Sequence, residues 1–183
     1  MPELRPLVTG DAPHVLAAFH SDPAMSRQGE VSDLSTAEAY IRAATDTGAG
    51  RLAFAVDVGG SSVGLVGLSI DRANRVGWFF YWMHREHRGR GLMTTAARTA
   101  ADWALAPTDQ SGGGLHRLEL GHRRNNPSSG GVARAAGFIQ EGVEREKFLI
   151  AGARVDVLTW GRLRDDPVPS GGRMMINTKE TLL

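Results

Sequence analysis

Apolar and polar positions along the chain repeat with two different periods, which predict a succession of strands and helices. Short apolar runs bounded by turn residues predict strands, at residues 4–8, 51–58, 63–70, 76–83, 115–121, 138–141, 144–150 and 155–163. Apolar stripes at helical spacing predict helices, at about residues 12–19, 36–43, 93–105 and 127–136. This order predicts an α/β domain in which a mixed, mainly antiparallel sheet of about six or seven strands is flanked by about four helices.

Capping residues mark where the first two helices begin. Asp11 is predicted to cap the first helix, because its carboxylate can accept hydrogen bonds from the free N–H groups of the first turn. Ser35, or Thr36 beside it, is predicted to cap the second helix, with Glu38 three residues after Ser35 as in a capping box. Residues 21–34 between these helices are polar and irregular, and we expect them to form part of a substrate mouth.

The size and composition indicate one folded unit. A chain of 183 residues with 42% hydrophobic side chains can bury one core and is short for two domains. We predict a domain over residues 1–164 and a tail over residues 165–183, where Pro and Gly interrupt any periodicity. The 21 basic and 20 acidic side chains produce no overall field that would favour nucleic acid or a membrane surface. The N-terminus lacks a signal-peptide core and no apolar run approaches ~18 residues, so we expect a cytoplasmic protein.

Some chemistries are excluded by the side chains themselves. Cysteine is absent, which removes disulfides, a thiolate nucleophile and cysteine metal sites. His84 and His87 flank one loop, but no third ligand stands at metal spacing, so no metal site is predicted. The other histidines are interpreted as surface or cap residues; they are His14, His20, His116 and His122.

The strongest chemical signal lies in residues 81–106. An aromatic strand ends in the basic loop His87-Arg88-Gly89-Arg90-Gly91, which opens directly into an Ala-rich helix. A helix start presents free N–H groups and a positive dipole end, which suits a phosphate, and glycine lets an anion approach the backbone. The Gly-Lys-Ser/Thr of a P-loop and the third glycine of a dinucleotide fingerprint are both missing. The loop therefore predicts a pyrophosphate-bearing cofactor.

The order of motifs resembles that of the GNAT superfamily of acyl-CoA-dependent N-acyltransferases. The motifs are the Gly loop and its helix, Asn126-x-x-Ser129 at the start of a later helix, and Gly137-Phe138 at its end. Within the superfamily, the chain is most similar to the RimJ/RimL-type branch of ribosomal-protein alanine N-acetyltransferases. Glu141-Gly142-Val143 and Gly152-x-x-Val155-Asp156-Val157 also correspond to that branch, and the similarity runs from about residue 4 to residue 163.

The resemblance implies acetyl-CoA as co-substrate, held in a V-shaped splay between the Trp82 strand and the Leu118 strand. Backbone N–H groups of the Gly loop would bind the pyrophosphate; the residues are Arg88, Gly89, Arg90, Gly91, Leu92 and Met93. The strand would splay near residues 82–85 and pair with the pantetheine arm through Met83 and Arg85, where amides would also polarise the thioester carbonyl. Asn126 would bond the same arm, and Ser129 would protonate or hydrogen-bond the leaving thiolate.

The chain departs from the family pattern in three places, which concern the loop, the base and the acid. Glu86 stands where the loop often has Gln or Arg, and Trp78 and Phe80 occupy positions where many relatives of this branch have a Glu-x-Gly-Tyr-Trp strand. The general-acid tyrosine of the wider superfamily would fall at Ala133. Ser129 is therefore the only matching acid.

Three side chains remain alternatives for the general base: Glu119, Asp156 and His84. Glu119 and Asp156 could instead pair with arginines on a sheet face. The acceptor decides how much help is needed, because an α-amine has a pKa of about 8 and an alkyl ammonium about 10.

The implied reaction is direct acetyl transfer to a primary amine in a ternary complex, without a covalent enzyme intermediate. The acceptor is either the α-amine of a protein N-terminus or a small-molecule amine. Residues 21–34 would shape the acceptor side with Arg27, Glu30 and Asp33, and an acidic mouth there would suit cationic acceptors. A non-catalytic acyl-CoA-binding or sensing module of the same fold is the alternative. Homodimer formation is a further alternative, in which the apolar residues 174–176 of the tail would form a contact between the two copies.

Overall fold

The computed structural model describes residues 1–178, in which eight strands form one sheet. The strands are β1 (Glu3–Pro6), β2 (Arg51–Val58), β3 (Ser61–Asp71), β4 (Val76–Met83), β5 (Arg117–Arg123), β6 (Ile139–Ile150), β7 (Ala153–Leu163) and β8 (Met175–Ile176). The helices are α1 (Ala12–His20), α2 (Leu34–Ala44), α3 (Leu92–Leu105) and α4 (Pro127–Ala135). The predicted α/β class is confirmed, and β2 and β4 have the predicted bounds.

The order of strands across the sheet is β6-β7-β5-β4-β3-β2-β1-β8. Neighbouring strands are antiparallel except in the pairs β4–β5 and β1–β8. The sheet is thus mixed and mainly antiparallel, as predicted. It has eight strands rather than six or seven. The predicted segments 138–141 and 144–150 together form β6, and the tail supplies β8 as an additional strand.

The sheet opens between β4 and β5. β4 pairs with β3 along its whole length, but with β5 it shares only the register Val76↔Arg117 to Trp78↔Glu119. The predicted splay is therefore present, and it begins directly after Trp78 rather than near residues 82–85. A Cβ on Gly121 of β5 would lie 3.2 Å from the Trp78 indole, so glycine leaves the room that this ring occupies at the start of the opening.

Helices cover both faces of the sheet. On one face α3 and α4 pack on residues such as Phe54, Phe79 and Leu118. Five alanines of α3 have no exposed surface and let this helix lie close to the sheet; they are Ala96, Ala97, Ala100, Ala101 and Ala104. On the other face α1 and α2 pack on Leu65 and Trp82. The opening between β4 and β5 therefore connects two sides of the molecule.

The caps of the first two helices differ from the prediction. Asp11 stands at the start of α1, yet its carboxylate makes no cap bond there and pairs with Arg5 at 2.7 Å. In α2, Asp33 is the cap, and its carboxylate accepts a 2.8 Å hydrogen bond from the N–H of Thr36. Thr36 Oγ1 in turn accepts from the N–H of Asp33, so Thr36 completes the box three residues into the motif. Glu38 pairs instead with Arg42.

The tail packs against its own domain. Arg173 pairs with Asp102 of α3 at 2.5 Å, and the N–H of Met174 donates to Thr99 Oγ1 at 3.0 Å. β8 then pairs with β1 at the edge of the sheet. The tail over residues 165–177 therefore contacts the rest of the chain, and its last five residues lie outside the described range. Met174 and Ile176, predicted as a dimer contact, are partly buried in this core.

Candidate active site

A cavity of about 610 Å³ lies at the opening between β4 and β5. Its walls come from four separate parts of the chain: Arg27 and Gln28; Trp78, Phe79, Phe80 and Tyr81; Leu120, Gly121, His122, Arg123, Asn126 and Ser129; and Phe148, Leu149, Ile150 and Ala151. The cavity therefore joins the split strands, the start of α4 and the β6–β7 hairpin. Two predicted site residues, Asn126 and Ser129, line it.

The open edge of β4 provides backbone hydrogen-bonding groups. The N–H of His84 donates to Val63 of β3 at 2.9 Å, and successive residues of a strand alternate in direction. The amides of Met83 and Tyr81 therefore point away from β3, towards the opening. Met83, which is predicted to pair with the pantetheine arm, has its amide on this open edge, and its carbonyl accepts a bond from Arg88 Nε.

Trp82 and Arg85 do not present their backbone amides to the opening. The amide of Trp82 points towards β3 by the same alternation, and its indole N–H donates to Tyr40 Oη at 2.9 Å. The N–H of Arg85 donates to Ser21 Oγ at 3.1 Å, and its carbonyl accepts from the N–H of Arg88. Both backbone groups of Arg85 are thus hydrogen-bonded within the protein, because the chain turns into a short 3-10 helix, Arg85–His87, directly after β4.

The loop before α3 presents a row of free donors. Within the described chain, the backbone N–H groups of residues 89–94 have no hydrogen-bond acceptor. Gly89 and Gly91 have φ values of 75° and 73°, and a Cβ on either would meet nothing within 4 Å. Glycine is therefore required by the left-handed backbone rather than by lack of room. The Arg88 side chain anchors this loop through Asp22 at 2.5 Å.

Ser129 stands at the first turn of α4 in contact with β4. The Tyr81 phenol lies 2.8 Å from the carbonyl oxygen of Ser129, to which it donates, and 3.0 Å from Ser129 Oγ. Asn126 caps the helix, because its Oδ1 accepts from the N–H of Ser129 at 3.4 Å. Burial raises the pKa of Tyr81 to about 12. The site therefore contains two linked hydroxyl groups, of which the sequence had indicated only the serine.

Glu119 lies outside the lining of the cavity. It is the β5 residue of the last pair with β4, and its carboxylate accepts a 2.7 Å hydrogen bond from Arg117 Nε. Arg117 also pairs with Glu141 of β6. This is the pairing on a sheet face that the sequence left as the alternative to catalysis.

Asp156 holds a bulge in the hairpin that forms one wall. The predicted strands 138–141 and 144–150 form one continuous strand, β6. Its register with β7 shifts between Glu144 and Phe148. Asp156 Oδ1 accepts from the N–H of Glu146, whose φ is 53°, and Oδ2 pairs with Arg124 at 3.3 Å. The carboxylate thereby sets the position of the following segment, residues 148–151, over the cavity.

Two histidines differ in their surroundings. His84 Nδ1 accepts from the N–H of Glu86 at 3.2 Å, which caps the 3-10 turn. His122 is buried and lines the cavity, so its interpretation as a surface or cap residue is wrong. Its ring stacks on Trp160, and a Cβ on Gly130 would lie 2.8 Å from Nε2. Alternate residues of β5 are buried, and His122 follows Leu118 and Leu120 in this series. The alternation of apolar residues in the sequence could therefore have indicated that His122 is buried.

The described side chains that line the cavity carry positive rather than negative charge. Arg27 lines the cavity, as expected of the 21–34 segment, but Glu30 and Asp33 do not. None of the described residues that line the cavity is an aspartate or a glutamate. Arg123 is a second basic residue there, which sequence reasoning missed because its place depends on where β5 ends. The acidic mouth considered from the sequence therefore stays a prediction, and Glu30 and Asp33 do not contribute to this cavity.

The described residues contain no cluster of three or more His, Asp or Glu side chains that could hold a metal ion. None of the helices in residues 1–178 is both long and apolar enough to cross a bilayer.

The chain belongs to the GNAT acetyltransferase family, since residues 3–139 match the model of the acetyltransferase (GNAT) domain. It is 30% identical over 96 residues to the ribosomal-protein-serine acetyltransferase of Escherichia coli (strain K12), which covers 52% of this chain and 51% of that protein. The chain spans about half the length of the curated relatives it matches.

Solved structures share the fold. The RimL ribosomal L7/L12 alpha-N-protein acetyltransferase in complex with coenzyme A superposes with a TM-score of 0.77 at 17% identity, over 87% of this chain and 92% of that one. Mutant forms of the spermidine/spermine N-acetyltransferase SpeG from Vibrio cholerae superpose with a TM-score of 0.70 at 25% identity, over 90% and 95%. The similarity to the RimJ/RimL-type branch is confirmed by the E. coli relative, a ribosomal-protein acetyltransferase.

Proposed function

We propose that the protein transfers an acetyl group from acetyl-CoA directly to a primary amine. The observation that carries this proposal is the combination of the opening between β4 and β5 with the row of free N–H groups at residues 89–94. A strand edge can pair with an extended amide-containing arm, and a helix start can bind phosphate. Two such features joined by one short turn suit a ligand that has both parts, as coenzyme A does.

The residues around the opening would act on the two ends of the thioester. Amides at the free edge of β4, at Tyr81 and Met83, are fixed donors for the carbonyl oxygen, on which negative charge grows during acyl transfer. Asn126 would orient the pantetheine arm. Ser129 Oγ would donate a hydrogen bond to the departing sulfur, while the Tyr81 phenol donates to the Ser129 carbonyl oxygen and positions the start of α4. Acetyl-CoA supplies the activated acyl group.

The pKa of Tyr81 limits what this pair can do. A thiol has a pKa of about 8.5, whereas burial raises the pKa of Tyr81 to about 12. The phenol therefore keeps its proton beside a thiolate and continues to donate it to the Ser129 carbonyl oxygen, which leaves Ser129 Oγ as the donor to the sulfur. The proton that finally neutralises the thiolate then comes from the acceptor ammonium or from water.

The acceptor nitrogen must lose a proton before it attacks. We propose the α-amine of a polypeptide as the acceptor, with a small-molecule amine as the second candidate, because the relatives include acetyltransferases of ribosomal proteins and of spermidine. An α-amine with a pKa of about 8 can lose this proton to water. Glu119, Asp156 and His84 stay predictions for a side-chain base, and the cytoplasmic location stays a prediction as well.

The test is calorimetric titration of the protein with acetyl-CoA, using Gly91→Val and Gly89→Val. A valine at these left-handed positions distorts the loop that carries the donors. Gly59→Val is the matched control, because Gly59 has a φ of 65°, has equal room for a Cβ and lies in the β2–β3 turn. We expect micromolar binding that falls at least ~100-fold in the loop variants only. Equal binding by all four proteins would refute the loop assignment.

A second assay separates an enzyme from a binding module. The protein is incubated with acetyl-CoA and a panel of peptides and small amines, and release of free thiol is measured. Thermal protection by acetyl-CoA without thiol release from any amine would favour the non-catalytic module.

A further inference from the structure

Two arginines face the cavity from distant parts of the chain. Arg27 lies in the 3-10 turn Pro23–Gln28 between α1 and α2, and Arg123 is the last residue of β5. Within residues 1–178, neither guanidinium takes part in an ion pair or a side-chain hydrogen bond. Other arginines near the site are engaged: Arg88 pairs with Asp22, and Arg124 with Asp156.

The two charges act on each other. Partial burial, and then the positive charge of Arg27, lower the pKa of Arg123. Among residues 1–178, no carboxylate lines the cavity to offset them. Holding two guanidinium groups near one another without a counterion is unfavourable, and an anion between them removes the repulsion. Arginine is also the side chain whose fork of donors matches a carboxylate.

We infer that the acceptor is a primary amine with a carboxylate close to the reacting nitrogen, and that Arg27 and Arg123 bind this carboxylate. The inference rests on the proposed acetyl transfer and specifies its acceptor class. The carboxylate belongs either to a free amino acid or to an acidic side chain near the N-terminus of a peptide. Both sources present the same chemistry to the two guanidinium groups.

The same arrangement disfavours polyamines. A polycation entering this cavity would meet two positive side chains and no negative one. The V. cholerae relative named for spermidine therefore shares the fold of this chain without indicating its acceptor. Phe148 and Leu149 give the same cavity an apolar wall beside the charged one.

The experiment compares amines that differ only in the negative charge. The pairs are serine with serinamide, and the amidated peptide Ala-Asp-Ala with Ala-Asn-Ala; spermidine is the cationic member. Thiol release gives kcat/KM for each. We expect one pair to show at least ~30-fold preference for the carboxylate, and which pair does so identifies the source.

Arginine variants link the preference to these side chains. Arg27→Gln and Arg123→Gln should each reduce the preference about 10-fold, whereas Arg27→Lys should retain most of it. Arg27→Glu should favour the uncharged or cationic members. Arg42→Gln is the control, because Arg42 is an exposed arginine of α2 outside the cavity lining. It should change nothing.

The outcomes separate this inference from the proposed function. Equal rates for the charged and uncharged members, or a preference that survives in Arg27→Gln/Arg123→Gln, would overturn the inference while transfer itself stands. Loss of acetyl-CoA affinity in these variants would assign the arginines to the co-substrate and overturn it as well. If no amine is acetylated, titration of the same peptides in the presence of CoA decides: tighter binding of Ala-Asp-Ala that depends on both arginines supports the inference, and equal binding refutes it.

Discussion

The two ends of the candidate site are built in different ways. At the cofactor end, β4, the Gly loop and α3 follow each other in one stretch of sequence, and the groups that point outward are backbone amides. At the proposed acceptor end, the wall combines residues 27–28, 121–123 and 148–151 from separate parts of the chain, and the proposed contacts are side chains. The first end therefore depends on backbone conformation and the second on side-chain identity. We expect substitutions at the two ends to have different consequences.

The largest effect should come from the backbone of the cofactor end. Gly91→Val should weaken acetyl-CoA binding at least ~100-fold, whereas Arg90→Ala, which leaves the backbone free to keep its left-handed glycines, should change it less than ~5-fold. The measurement is the Kd from calorimetry. A large loss of acetyl-CoA affinity in Arg90→Ala would show that the cofactor end also depends on a side chain. The proposed difference between the two ends would then be refuted.

The next effect concerns the two hydroxyl groups between the ends. Ser129→Ala should lower kcat about 10- to 100-fold with an unchanged Kd for acetyl-CoA, because hydrogen bonds to charged groups contribute about 1.5–3 kcal/mol. Tyr81→Phe should have a smaller effect, since Ser129 Oγ remains. Steady-state kinetics and calorimetry of each variant provide the test, and a fully active Ser129→Ala enzyme would remove Ser129 from the mechanism.

A smaller effect is expected where Asp156 holds the hairpin. Asp156→Asn keeps an acceptor for the N–H of Glu146, so its kinetics should stay within ~3-fold of wild type. Asp156→Ala removes that acceptor and should raise KM for the amine about 5- to 10-fold, with kcat nearly unchanged. A fall in kcat of more than ~100-fold in both variants, together with an altered pH profile, would instead support the predicted role as base.

Glu119→Gln should have little effect on turnover. The amide can still accept the hydrogen bond from Arg117, and the side chain does not line the cavity. We expect kcat/KM within ~3-fold of wild type between pH 7 and 9. A loss of more than ~100-fold that is greatest at low pH would identify Glu119 as the proton acceptor after all.

The smallest effect is visible only at alkaline pH. The folded pKa of Tyr81, about 12, exceeds its ordinary value of 10.0, so its contribution to stability is complete below pH 10 and is lost as the pH rises towards 12. Burial raises the pKa of Tyr40, the other tyrosine, as well. Phenolate absorbance should therefore stay low until above pH 10 in the folded protein, and chemical unfolding should show falling stability in that range. An ordinary titration near pH 10 would contradict the burial of both phenols.

Local patterns predicted most of the fold. The bounds of β2 and β4 and the course of α3 follow from apolar runs and from the turns that end them, which are properties of neighbouring residues. The eighth strand could not be predicted, because two residues form a strand only when β1 offers them an edge. The start of α2 was misplaced, since Ser35, Thr36 and Asp33 all have suitable side chains and only the backbone path decides among them.

By itself the sequence determined the family, the α/β architecture and the loop with its two left-handed glycines. These depend on short-range order along the chain, which a linear pattern records. Only the tertiary structure decided which edge of β4 stays open, that Tyr81 meets Ser129, that Glu119 and Asp156 are held in ion pairs, and that Arg27 and Arg123 share one cavity. The reason is that each of these contacts joins segments far apart in sequence, whose meeting is set by strand pairing and packing rather than by any residue alone.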